Sequence, residues 1–176
     1  MARAFVAIGS NIEPEENVRW AIRRLAEKVR VVAVSTVYRT KPFSRPEQDD
    51  FYNCVLEIET DAPPIRLKLQ TLCEIETQLG RTRGEDKFAP RIIDLDLILY
   101  DDLVIDTADL TLPDPEIVSR PFLAGPLSEL APDLVIPGSA ARVSDVARRL
   151  SLSDMVPLTS YTEQLRRDIA HGYPEG

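Results

Sequence analysis

Histidine is nearly absent from this sequence: the chain has 176 residues and one histidine, His171, in its tail. A Ser-His-Asp triad or a histidine-built zinc site in the main body is thereby excluded. Cysteine is almost as scarce. Cys54 and Cys73 form no metal-binding spacing and read as buried, reduced thiols. No apolar run is long enough to span a bilayer and no cleavable leader is read, so a cytoplasmic setting without a membrane is expected. Net positive charge is lacking as well. At −8 the chain is a poor partner for nucleic acid or an anionic membrane. Repeats and low-complexity segments are missing. The length suits a single domain, expected over residues 1–150, with 151–176 as an extension of no assigned role. The oligomeric state is left open, and a monomer is compatible with the composition.

Against this background one stretch stands out, GRTRGEDKFAPRIIDLDLILY from Gly80 to Tyr100. Its first half is polar, carries Gly80, Gly84 and Pro90, and reads as a mobile loop. Its second half, Arg91 to Tyr100, reads as a buried strand interrupted by Asp94 and Asp96. Residues two apart in a strand share a face, so both carboxylates point the same way with Cα atoms roughly 7 Å apart. Ile93, Leu95, Leu97 and Leu99 are expected to face the core. Paired carboxylates on an apolar strand repel each other and resist desolvation. A hard cation between them, Mg²⁺ in particular, relieves both costs. The plainer alternative is a strand ending at a solvated sheet face. Arg81, Arg83, Lys87 and Arg91 in the loop favour the cation, because metal carboxylates beside arginines suit phosphoryl transfer.

In chain order, Arg3 to Gly9 predicts a strand ending in a Gly-Ser-Asn turn. Pro14 to Val29 predicts a helix with Val18, Ala21, Ile22 and Leu25 inward, and Arg30 to Tyr38 a second strand. Arg39 to Asp50, with its prolines and charges around Phe43, predicts a second mobile loop. Phe51 to Thr60 predicts a third strand with Tyr52, Cys54, Leu56 and Ile58 on the core face. Phe51 and Asn53 lie on the opposite face, where an aromatic and an amide can hold a flat heterocycle. Pro64 to Leu79 predicts a helix with Ile65, Leu69, Leu72 and Leu79 as its apolar stripe, stopped by Gly80. Glu76 falls within that stripe as either a buried ion-pair member or a site residue. Leu110 to Phe122 is irregular and brings Asp114, Arg120 and Phe122 near one another. Shorter helices follow at Phe122–Leu130, Val143–Leu150 and Tyr161–Ala170. The strand-helix-strand-strand-helix-strand order predicts an α+β, ferredoxin-like split βαβ sandwich: an antiparallel sheet with helices on one face, plus additional C-terminal helices.

At these residues the sequence resembles the hydroxymethyldihydropterin pyrophosphokinases of folate biosynthesis. The resemblance rests on AIGSN (Ala7–Asn11), YRTKPF (Tyr38–Phe43), FYNCV (Phe51–Val55), PRIIDLDLILY (Pro90–Tyr100), LPDPEIVSRPF (Leu112–Phe122) and PLSELAPDLVIP (Pro126–Pro137). It implies Mg²⁺-dependent transfer of pyrophosphate from ATP to the hydroxymethyl oxygen of the pterin, leaving AMP. It implies two Mg²⁺ ions on Asp94 and Asp96, and phosphate contacts from Arg81 and Arg91. Phe51 and Phe122 would flank the pterin, with Asn53 and the loop around Thr40, Lys41 and Phe43 reading its edge. Glu76, Arg83, Leu97, Thr111 and Arg120 would contact nucleotide, Leu97 and Thr111 through backbone groups to adenine. The chain departs from the family at Phe88, where a tryptophan often covers the pterin, and at Asp114, where a histidine often stands beside the phosphates. Asp114 is expected to pair with Arg120, with a water of the magnesium shell as the alternative. A non-catalytic pterin or nucleotide sensor on the same fold is the rival to the enzyme.

Overall fold

The computed structural model describes residues 1–82 and 84–173. Strand β1 (Ala2–Ser10) occupies the middle of the main sheet. It lies antiparallel between β4 (Phe51–Thr60) and β5 (Asp94–Tyr100). Strands β2 (Arg30–Val34) and β3 (Tyr38–Thr40) both pair with the far edge of β4, and β8 (Val156–Pro157) pairs with β3. Strands β6 (Ile105–Asp106) and β7 (Thr111–Leu112) form a separate ribbon. The helices are α1 (Pro14–Ala26), α2 (64–78), α3 (Pro121–Leu130), α4 (Val143–Arg149) and α5 (Thr159–His171). This is the expected antiparallel α+β sandwich.

The first sheet face carries Ala4, Val6 and Ile8 of β1 with Cys54, Leu56 and Ile58 of β4. These pack with Val18, Ile22 and Leu25 of α1 and with α2 and α5. Burying each of these larger side chains contributes about 1.5–3 kcal/mol. The second face is apolar as well. Phe5, Ala7, Val55, Ile98 and Leu99 meet Leu123 and Leu127 of α3 and Val143 and Val146 of α4. The additional C-terminal helices thus divide between the two faces. Toward Gly9 and Phe51 the second face carries polar groups instead, and there the site forms.

Four local readings need correction. The second strand is broken in two, because buried Ser35 leaves the ladder and its Oγ accepts from Val55 N at 2.9 Å. Thr40 therefore belongs to a strand rather than to the loop. Strand β5 begins at Asp94 rather than Arg91, whose N and O bond instead to Asn11. Helix α2 contains a π-helical segment, Leu67–Leu72, whose wider turn rotates the inward face. Leu67, Leu72 and Ile75 are buried, while Ile65 and Leu69 face solvent. Finally, β5 carries a bulge. Val6 opposes Leu97 but Phe5 opposes Leu99, so Ile98 is the extra residue. Leu99 is thereby moved to the second face and Tyr100 to the first.

Candidate active site

The sheet register builds the site. Gly9 of β1 pairs with Asn53 of β4 on one side and Asp94 of β5 on the other. One step along the same face Ala7 pairs with Val55 and Asp96. The spacing of two that placed Asp94 and Asp96 together thus sets them beside Asn53 across one glycine. A side chain at that glycine would press on the Asn53 amide. A Cβ on Gly9 would lie 2.9 Å from Asn53 Oδ1. Asn53 in turn donates through Nδ2 to Thr40 Oγ1 at 2.6 Å.

Asp94 is bracketed by arginines. Arg81 Nη1 stands 2.6 Å from its Oδ1, and Arg91 Nη1 reaches its Oδ2. The same Arg81 nitrogen is 2.6 Å from Oε1 of Glu76, which is 4% exposed. Glu76 Oε1 also accepts from Leu95 N at 2.8 Å. Glu76 is therefore a buried ion-pair member that ties helix α2 to β5 and fixes Arg81 beside the aspartates.

Asp96 faces a different field. Lost hydration comes first, then the negative charges of Asp94, Glu76 and Asp114, and together they push its carboxyl up to about 7. By accessible surface Asp96 is nonetheless exposed, so solvent screens part of that field. Asp114 is carried to this place by a backbone bond from its N to Ile98 O at 2.9 Å. There it starts the short 3₁₀ turn Pro115–Val118, accepting from Glu116 N at 2.8 Å. Burial holds its carboxyl above the ordinary range, against the pull of that hydrogen bond. The expected pairing with Arg120 does not form. Arg120 is paired with Glu116 at 3.5 Å and lies over the Phe43 ring, 4.4 Å from its centroid. Glu116 is the residue it meets one helical turn back, whereas Asp114 is committed to its cap.

A cavity of about 390 Å³ opens beside these groups. Phe51, Phe122, Asn53, Thr40, Arg91 and Asp94 line it, with Lys41 and Phe43 from one loop and Phe88 from the other. A smaller adjoining hollow of about 60 Å³ is lined by Asp94, Asp96, Asp114 and Phe122. The two loops are joined over the site. Gln48 Nε2 donates to Phe88 O at 2.5 Å, and Arg45 lies 2.7 Å from Asp86. Among the described residues, no three acidic, histidine or cysteine side chains converge to hold a cation unaided. The donor chemistry suits a hard cation that keeps waters and takes oxygens from its ligand. Two neighbouring carboxylates, with a third acid close by, leave an excess of negative charge that Arg81 and Arg91 offset only in part.

A model of the family described as 7,8-dihydro-6-hydroxymethylpterin-pyrophosphokinase (HPPK) matches residues 5–132. The chain belongs to this family. Curated relatives named 2-amino-4-hydroxy-6-hydroxymethyldihydropteridine pyrophosphokinase agree. The Synechocystis protein is 38% identical, with 88% of this chain and 80% of that one covered. The Methylorubrum extorquens protein is 39% identical, covering 81% and 90%, and the Haemophilus influenzae protein 33%, covering 90% and 99%. Among solved structures, a Plasmodium falciparum HPPK-DHPS triple mutant superposes with a TM-score of 0.67 at 11% identity. That likeness shows the fold; it covers 84% of this chain and 43% of the Plasmodium chain.

Not every residue that the family resemblance implies is drawn to the cavity. Leu97 is buried on the opposite sheet face, in the first core, and Thr111 is exposed on β7. Arg83 lies outside the described residues. Two contributors were missed. Gly9 ends the expected strand, but its part in the site was not foreseen: its missing side chain leaves room for the Asn53 amide. Asn11 joins both loops. Its Oδ1 accepts from Arg91 N at 2.7 Å, and its Nδ2 donates to Gln48 Oε1 at 3.1 Å and Asp49 O at 3.3 Å. The Gly-Ser-Asn run following an apolar strand was the available signal.

Proposed function

We propose that this chain transfers a pyrophosphoryl group from ATP to the hydroxymethyl oxygen of 6-hydroxymethyl-7,8-dihydropterin, with magnesium required. The observation that carries this reading is the adjacency of an arginine-bracketed aspartate pair to an aromatic-lined cavity. In the reaction the pterin hydroxyl oxygen bonds to the β-phosphorus. The bond from that phosphorus to the oxygen bridging it to the α-phosphate breaks. AMP leaves with the electron pair, and the hydroxyl proton passes to solvent.

The roles of the side chains follow from their chemistry. Phe51 and Phe122 offer aromatic faces to the pterin, and Asn53, held by Thr40, presents donor and acceptor to its edge. Lys41, Phe43 and Phe88 close over it from the two loops and limit water, which would otherwise compete with the alcohol. Arg81 and Arg91 exchange their carboxylate partners for phosphate oxygens and take up charge as AMP departs. Glu76 holds Arg81 in reach, while Arg83 and Arg120 add positive charge along the triphosphate. Backbone groups at Leu97 and Thr111 contact adenine. Asp94 and Asp96 would hold magnesium, as two ions, which when bound neutralises triphosphate charge and lowers the alcohol's pKa. The setting we propose is the cytoplasm. No helix of the described residues is long and apolar enough to cross a membrane.

The test is AMP release from MgATP in the presence and absence of the pterin. AMP that appears only when the pterin is present supports the transfer. Binding of both ligands without AMP makes the chain a sensor.

A further inference from the structure

The segment after Leu150 lies beyond the residues matched by the family model. It adds an edge strand and a helix, and its contacts converge on the piece of chain that leads into the pterin wall. Strand β8 pairs with β3, Pro157 opposite Tyr38 and Val156 opposite Arg39. Just before β3 the chain leaves the ladder, and the main-chain groups of Val37 need partners elsewhere. Val37 N donates to Thr162 Oγ1 at 2.9 Å, and Val37 O accepts from Leu158 N at 2.8 Å. Thr162 is 2% exposed, and its hydroxyl passes its own hydrogen to Leu158 O at 2.8 Å. One helical turn on, the Arg166 guanidinium donates twice to Val34 O at 3.3 Å. Tyr161 packs its ring against Tyr52, with centroids 5.7 Å apart.

Strand β3 ends at Thr40, whose hydroxyl holds the Asn53 amide, and the loop bearing Lys41 and Phe43 begins there. We infer that Thr162 is a positioning residue for pterin recognition: by satisfying Val37, it sets the height of β3 and thereby the Thr40–Asn53 pair. The effect should be selective. Arg81, Arg91, Asp94 and Asp96 belong to β5 and its loop, on the far side of β1 from β3. This inference rests on the pterin reading proposed above.

Three variants test it in steady-state assays with MgATP and 6-hydroxymethyl-7,8-dihydropterin: Thr162→Val, Thr162→Ser and Arg166→Met. Thr162→Val keeps the shape and removes the acceptor for Val37 N. It is expected to raise KM for the pterin about fivefold to tenfold, with KM for ATP and kcat within about twofold. Thr162→Ser restores the acceptor and the wild-type KM. Arg166→Met, on the exposed side of the same helix, shifts pterin KM in the same direction by a smaller factor, so the test stands even if Thr162→Val fails to fold. Unchanged pterin KM in the folded variants, or equal losses for both substrates, overturns the inference. Wild type that releases no AMP with either substrate set overturns the pterin reading itself, a result separate from these ratios.

Discussion

Arg81 and Asp94 are joined at 2.6 Å through the same guanidinium nitrogen that meets Glu76. This arginine, proposed to serve phosphate, thus shares its single charge between two carboxylates, one of them proposed to serve metal. Metal arriving at Asp94 and phosphate arriving at Arg81 each free a charge that the other needs. Asp94→Ala and Asp96→Ala should therefore abolish turnover, by about a thousandfold or more, while the fold remains. Circular dichroism and single-turnover kinetics at saturating Mg²⁺ check this. Near-normal kcat in either variant removes the metal assignment.

Glu76 is the structural half of the same cluster. Glu76→Ala leaves the Leu95 N–H without its acceptor and takes from Arg81 one of its two carboxylate partners, and should destabilise the fold by about 3 kcal/mol. Glu76→Gln keeps an acceptor for Leu95 N and should cost about 1 kcal/mol. Urea denaturation of the two variants gives the comparison, and equal losses would show that the charge rather than the acceptor matters.

The aromatic wall should act on one substrate. Phe51→Ala and Phe122→Ala are each expected to weaken pterin binding by about 1–3 kcal/mol, through lost buried area and a lost ring face. ATP affinity should hardly change. Calorimetric titration of each ligand reads this directly, and parallel losses for both would count against the division of the site.

With magnesium chelated, Asp96 should make stability depend on pH. Its folded carboxyl is raised from 3.8 to about 7, so within that window the folded chain keeps a proton that the unfolded chain releases. The stability that Asp96 contributes is present below the lower value and is lost as pH rises through the upper one. With chelator present, the wild-type Tm should fall relative to Asp96→Asn between about pH 4.5 and 7.5. The slope should be gentler than for an enclosed acid, because the carboxylate edge reaches solvent. A parallel pair of Tm profiles would show that Asp96 titrates normally.

Local periodicity made part of this structure legible. Alternation along β4 and β5 was enough to put Phe51, Asn53, Asp94 and Asp96 on one face, since each rests on a period of two within a single strand. It failed at Leu99 because a bulge inserts a residue against a partner strand that the local pattern cannot reveal. It failed at Ile65 and Leu69 because a π-helical segment alters the period assumed to be 3.6. The break at Ser35 was hidden for a similar reason: its polar side chain replaces a ladder bond made to β4, distant in sequence. Asp114 was expected to pair with Arg120 as a nearby cation, with the metal's ligands already supplied by Asp94 and Asp96, but a carboxylate preceding a short turn caps that turn first. The tail's part in the core depends on long-range pairing with β3, for which no local signal exists.

Phosphorus NMR of the pterin product tests the central claim most directly. Incubation of the chain with MgATP and 6-hydroxymethyl-7,8-dihydropterin should give two mutually coupled phosphorus signals on the pterin and an equal amount of AMP. A single uncoupled signal with ADP, or free pyrophosphate with unmodified pterin, would contradict pyrophosphoryl transfer.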